Sequence, residues 1–341
     1  MNILKRYAYY ALAVLTFACV TALPSNASAA STIAQTKYPI VMVHGAFGFD
    51  NILGIIDYWY GITDKLRANG AKVYVTTLSE AALHEVRGEE LIPQIQQIMA
   101  ITGATKVNII AHSQGGTAAR YVAALHPDWI ASISCAHCGN EGTPFAEGFT
   151  AFLNVGNGLV GDALDPIVSG LLDLLGWLSI GPADGSFNNS NTLQRNKMKD
   201  LAKAFTYAEY DRFNALYPQA MPYKDCSKLP NYGAKGLATG GGPELVNGVR
   251  YFSWGGHTPY TVAIDPLDII AVNDTYLFTP WDTKWDGLLP SCGMALGTFL
   301  NGDYKTNHYD AINQAFGLVA AYVDIPSIYV SQASRLKAKG L

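Results

Sequence analysis

The sequence predicts one α/β domain built on a mainly parallel sheet, and three observations predict it. Apolar, β-branched runs at residues 38–43 and 107–111 read as short strands buried on both faces. Stretches with helical spacing separate such runs. One strand also stops at His112-Ser113-Gln114-Gly115-Gly116 and passes straight into an Ala-rich helix. Strands alternating with helices imply right-handed crossovers and hence a parallel sheet. At 341 residues, 49% of them hydrophobic, the chain is long enough to bury one large core.

Taken in order, residues 1–29 have the form of a secretory signal. Lys5-Arg6 provide a positive start, residues 7–20 an apolar centre, and Ala27-Ser28-Ala29 a small-residue cleavage site. The mature chain is therefore expected to leave the cytoplasm. Its net charge would fall from −4 to about −6 with the loss of Lys5 and Arg6. The sequence carries no basic stripe, which excludes nucleic acid as the expected partner. Four cysteines remain after the leader: Cys135, Cys138, Cys226 and Cys292. An even number in an oxidising compartment suggests disulfides, with three possible pairings. Cys135-Ala136-His137-Cys138 lacks a second Cys/His pair at zinc spacing, so a local disulfide or two free thiols is the expected state.

The run at residues 38–43 predicts the first central strand, and it ends in His44-Gly45-Ala46-Phe47-Gly48. A Gly-rich loop directly after a core strand can turn backbone N–H groups toward the sheet's C-terminal edge. Residues 59–68 have helical spacing, residues 71–78 alternate as a strand, and residues 88–102 read as an amphipathic helix. Residues 130–134 form another short strand, and Gly142-Thr143-Pro144 ends it. Residues 145–180 are then rich in Leu, Val, Phe, Gly and Ala with few charges, and their leucines nearly encircle a helix. Such a helix is either buried in the core or covers an apolar cleft as a lid, and the lid is the favoured reading, within an insertion spanning approximately 145–245. A strand is expected at residues 249–254, followed by a long loop carrying Asp265, Asp268 and Asp286.

Strand, sharp turn with a central Ser, then helix is the setting of a nucleophile elbow. A serine hydroxyl needs a base to take its proton and an acid to orient that base. With the chain order Ser, acid, His, only His308 lies near the C-terminus with carboxylates upstream. His126 and His137 come too early, and His44 and His112 are expected to orient loops. Asp265, Asp268, Asp274, Asp282 and Asp286 all remain candidates for the acid. Asp286-Gly287 is distinguished by a glycine that permits a tight turn.

His44-Gly45, residues 58–62 (YWYGI), residues 103–108 (GATKVN), the Ser113 elbow, Arg120-Tyr121-Val122-Ala123-Ala124, Asp286-Gly287-Leu288 and residues 307–314 (NHYDAINQ) resemble the secreted triacylglycerol lipases of Pseudomonas and Burkholderia, on the α/β-hydrolase fold. The resemblance implies Ser113 as nucleophile, Asp286 as acid, His308 as base, and the backbone N–H groups of Ala46 and Gln114 as the oxyanion hole. It implies a structural Ca2+ held by Asp265 and Asp310 carboxylates and by the backbone carbonyls of Gln314 and Leu318, and a disulfide between Cys226 and Cys292. It further implies hydrolysis of acylglycerols at oil–water interfaces and a dedicated foldase chaperone. A monomer is expected. Ala111 stands where the first elbow Gly is usual, Trp285 replaces a small polar residue, and residues 135–141 have no counterpart in the pattern. The alternative functions are a carboxylesterase or polyester depolymerase on the same scaffold and, more remotely, a non-catalytic lipid-binding protein.

Overall fold

Val41 and Val43 point to one face of the central sheet and Ile40 and Met42 to the other, and all four are fully buried. That pattern requires helices on both sides of the strand Ile40–Val43 (β1), and the chain supplies them. The computed structural model describes residues 31–48, 51–52, 56–178, 196–222, 241–278 and 284–341. The expected leader at residues 1–29, Cys226 and Asp282 lie outside the described residues. Residues Thr32–Leu341 form one compact unit.

The sheet has seven strands: β1, β2 (Val73–Thr76), β3 (Val107–His112), β4 (Ile130–Ala136), β5 (Leu245–Val246), β6 (Val249–Gly256) and β7 (Thr298–Tyr304). Their order is β2-β1-β3-β4-β6, with β5 and β7 both pairing to β6; every pairing is parallel except β5 with β6. Helices α2 (His84–Thr102) and α3 (Gly115–Leu125) cover one face through Leu91, Ile95, Ala118 and Val122. Helices α1 (Ile62–Ala68) and α9 (Ile325–Ala338) cover the other through Ile62, Leu66, Tyr329 and Ala333, with Trp59 between them.

Above the C-terminal edge stand α4 (Pro144–Leu153), α5 (Leu159–Leu178) and α6 (Met198–Ala204), followed in the chain by α7 (Tyr207–Leu216). α4 to α6 share a small third cluster of Leu153, Met198, Leu201 and Ala202, against which Leu164 and Val168 pack. Helix α5 is not a core helix: Leu159, Ile167 and Leu171 are 70%, 69% and 55% exposed. Among the described residues no helix is long and apolar enough to cross a membrane. The stretch after β6 is not one long loop, because Asp268 lies in the first turn of α8 (Pro266–Phe278), where its carboxylate accepts the Thr261 and Val262 N–H groups of the preceding loop at 2.6 Å each.

Candidate active site

Strand β3 ends at His112, and Ser113 follows in the left-handed region at φ 53°. A non-glycine residue there is strained, by roughly 1–3 kcal/mol, and is held only when its surroundings dictate it. The surroundings here are closely packed. A Cβ on Gly115 would stand 2.4 Å from the Val43 carbonyl oxygen, and one on Gly45 would stand 2.5 Å from Ser113 Cβ. Ala111 is buried between Val43 and Cys135 on the neighbouring strands, so the extra methyl at the first elbow position is accommodated.

The elbow points its serine at the expected base. Ser113 Oγ–H donates to His308 Nε2 at 3.0 Å, and His308 Nδ1–H donates to Asp286 Oδ2 at 2.8 Å. The acid sits in a tight turn: Asp286 N–H donates to Leu289 O at 3.1 Å, and Gly287 adopts φ 102°. Asp286 Oδ1 accepts the Leu288 and Leu289 N–H groups at 3.0 and 2.7 Å, and His308 N–H donates to Asp286 O at 2.8 Å. Trp285 is fully buried and bridges to Pro290, so the bulky residue before the acid anchors the turn. Burial opposes ionisation of Asp286, but the His308 charge and hydrogen bonds from two imidazoles outweigh it and hold the carboxyl well below the usual carboxylate range.

The second imidazole is His137, which sequence order had set aside as coming too early. Its Nδ1–H donates to Asp286 Oδ2 at 2.9 Å. It follows β4, the strand beside β3, and sheet adjacency, which residue spacing does not reveal, brings it to the acid. Cys135 and Cys138, on either side of it, are buried free thiols, which resolves that pair against a local disulfide. Cys292 is disulfide-bonded.

The loop after β1 is tied down from below. His44 Nε2 accepts the Leu78 N–H at 2.9 Å while its Nδ1–H donates to Gly45 O at 2.8 Å; burial and the Arg87 charge lower its pKa to about 3, so it stays neutral. Arg87 donates to His44 O at 2.6 Å and Gly45 O at 3.0 Å, and also binds Ser79 O. Tyr58 joins the loop to the elbow: its oxygen accepts the Gly45 N–H at 2.9 Å and its O–H donates to His112 Nδ1 at 2.7 Å. His112 Nε2–H then donates to His308 O at 3.1 Å. His44 and His112 thus orient loops, as expected; Arg87 had no readable signal, and Tyr58 had only its place in the motif at residues 58–62. Among the described residues, neither Ala46 N–H nor Gln114 N–H has a hydrogen-bond acceptor, and the Gln114 side chain is occupied with Ala82 O at 2.7 Å.

Ser113 and His308 open into a cavity of about 470 Å³. Its walls are apolar: Phe145, Ala146 and Phe149 from α4, Leu201 and Phe205 from or beside α6, Leu267 and Ile270 from α8, with Leu288 and Leu289 beside the acid.

A separate acidic cluster lies next to the base loop. Ligand oxygens of Asp265, Asp268 and Asp310 lie within 4.8 Å of one another, all three residues buried. Asp268 had been a candidate acid, not a ligand. Asp310 Oδ1 has no hydrogen-bond partner, and no Lys or Arg among the described residues forms a salt bridge with the three. Burial, with the Asp268 and Asp265 charges acting the same way, pushes Asp310 up to about 7. An orphaned buried carboxylate oxygen beside two further acids, with oxygen the only donor type, fits a hard divalent cation. Gln314 starts the short helix Gln314–Gly317, its side chain donating to Asp57 O and Tyr58 O at 2.9 and 2.7 Å. The expected role falls on its backbone carbonyl and on that of Leu318, which directly follows this helix.

The sheet order and the serine held at its C-terminal edge define an α/β hydrolase, and the family described as alpha/beta hydrolase fold matches residues 38–138. The chain is similar to a triacylglycerol lipase of Vibrio cholerae, 35% identical and covering 90% of each chain. It is also similar to one of Burkholderia plantarii, 32% identical over 100% of this chain and 98% of that one. The crystal structure of the mature form of Bacillus licheniformis lipase BlEst2 shares the fold at TM-score 0.51 and 16% identity, over 82% of this chain and 89% of that chain. The chain belongs to the bacterial triacylglycerol lipases.

Proposed function

We propose that the protein hydrolyses the ester bonds of acylglycerols through an acyl-Ser113 intermediate. The observation that carries this reading is the continuous hydrogen-bonded line Ser113–His308–Asp286, opening into an apolar cavity. His308 Nε2 takes the Ser113 proton as Oγ attacks the ester carbonyl, then returns it to the leaving glycerol oxygen. Asp286 holds the Nδ1–H tautomer and stabilises the imidazolium while it exists. The Ala46 and Gln114 N–H groups receive the negative oxygen of the tetrahedral intermediate. Each such donor is typically worth roughly 2.7–4 kcal/mol of barrier. Water, activated by the same imidazole, releases the acyl chain.

Calcium is proposed at Asp265 and Asp310, with Asp268 beside them and the Gln314 and Leu318 carbonyls completing the set. When bound, it supplies the positive charge that this cluster lacks. Its protein ligand Asp310 is two residues from His308, so the ion fixes the loop carrying the base. We further propose that residues 1–29 direct secretion, that Cys226 pairs with Cys292, that α5 belongs to a lid over the cavity within approximately 145–245, and that a foldase assists a monomeric product.

The test is hydrolysis of triolein against tributyrin, with and without calcium, by the wild type and Ser113→Ala. The variant is expected to lose on the order of 10⁶ in kcat. Activity should rise once substrate exceeds its solubility. Turnover indifferent to emulsification would make the enzyme an esterase of soluble substrates, and full activity in Ser113→Ala would place the nucleophile elsewhere.

A further inference from the structure

His137 has no part in the chemistry just proposed, yet it is fully committed to the acid that chemistry uses. Asp286 offers two oxygens with about four acceptor sites. The Leu288 and Leu289 N–H groups fill Oδ1, while His308 Nδ1–H and His137 Nδ1–H share Oδ2. Of these four donors only His308 changes its charge during turnover. Without His137, Oδ2 would be held by the moving partner alone.

The rest of His137 is arranged to keep that one N–H in place. Its backbone lies in the left-handed region at φ 46°, rare for a residue with a side chain, and its own N–H donates to Trp254 O at 2.9 Å on β6. The ionised Asp286 carboxylate can only accept, which puts the proton on His137 Nδ1 and leaves Nε2 to accept from Thr306 O–H at 3.3 Å. The ring is 1% exposed and meets the His308 ring edge to face at 6.4 Å. It does not line the cavity, so it cannot touch substrate.

We infer that His137 is a positioning residue for the triad, a second imidazole that fixes the Asp286 carboxylate independently of His308. The inference rests on Ser113, Asp286 and His308 acting as proposed above. It assigns a role to residues 135–141, the stretch that departs from the family pattern. Removing the donor frees Asp286 to follow His308 as the imidazole shifts toward the serine, and the transition state loses alignment while substrate binding does not.

The test compares His137→Leu, which removes the donor, with His137→Asn, whose amide places an N–H where Nδ1 stood. Both are assayed on a dissolved short-chain ester. His137→Leu should lower kcat by about ten- to a hundredfold, the worth of a hydrogen bond to a charged group, with KM near that of the wild type. His137→Asn should recover most of that loss. Equal losses in both folded variants, or an unchanged kcat in folded His137→Leu, would overturn the inference. A second measurement needs no activity and no His137 variant. In ¹⁵N-histidine-labelled wild type and in His308→Ala, a slowly exchanging His137 Nδ1–H resonance should be present in both. A His137 ring protonated only at Nε2 would overturn the assignment. Failure of the parent reading looks different, since Ser113→Ala would then keep its activity whatever the His137 ring reports.

Discussion

A methyl group added at Gly115 would meet two carbonyl oxygens at once, Val43 O at 2.4 Å and His44 O at 2.7 Å. Neither can swing aside as a side chain would, because both belong to the end of β1 and the loop that follows it. Gly115→Ala should therefore push this loop away from the elbow, costing about 1–3 kcal/mol of stability by overpacking and lowering kcat with it. Urea unfolding together with turnover on a dissolved ester checks both effects. The strained Ser113 and the buried His44, pinned through each ring nitrogen, belong to the same local arrangement. Small changes there should disturb the oxygen-binding N–H groups before they disturb the triad.

At the scale of elements, the strands buried on both faces were the readable ones. β1 is an unbroken apolar run and β3 and β4 are mostly apolar, interrupted by Asn108, Ser132 and Ser134, because helices cover each side; the elbow stands out because β3 feeds α3 across only Ser113 and Gln114. β7 (Thr298–Tyr304) left no such trace: it is partly exposed, mixes Asn, Gly and Asp with apolar residues, and shifts register twice against β6. α8 has no clear apolar stripe in the sequence, which hides that its first turn brings Asp268 beside Asp265 and Asp310. Chain order hides His137, because it says when a residue arrives and not which strand stands beside which. α5 was read from its apolar excess, and its exposed Ile167 and Leu171 give that excess a use. Ile167→Asp should leave thermal stability and hydrolysis of dissolved esters nearly unchanged, as surface substitutions usually do. It should lower activity on emulsified triolein severalfold; equal activity on both substrates would detach α5 from interfacial contact.

For the whole molecule, the acidic cluster ties stability to pH, and the cation proposed for it would tie stability to metal as well. Without an ion, Asp310 titrates at about 7 in the folded protein against an ordinary value of 3.8. Between those values the native state holds the extra proton, so this group's contribution to stability falls as pH rises through the window and is fully lost above about 7. A bound cation removes that loss by pairing the ionised form. Melting temperatures with chelator and with calcium should thus lie close together near pH 5 and separate progressively toward pH 8. Parallel curves across that range, with no metal found by elemental analysis, would remove the cation from the cluster.

The two sulfhydryls behind the elbow offer a use of their own. Cys135 and Cys138 are sealed beneath Gly116, so an alkylating reagent has no access to either while the fold is closed, and burial further lifts the Cys138 thiol well above its ordinary range. Tagging of either sulfur, followed by mass spectrometry, would then act as a clock for the opening of the region under the nucleophile. It could be read in dilute, unpurified samples, at concentrations too low for calorimetry.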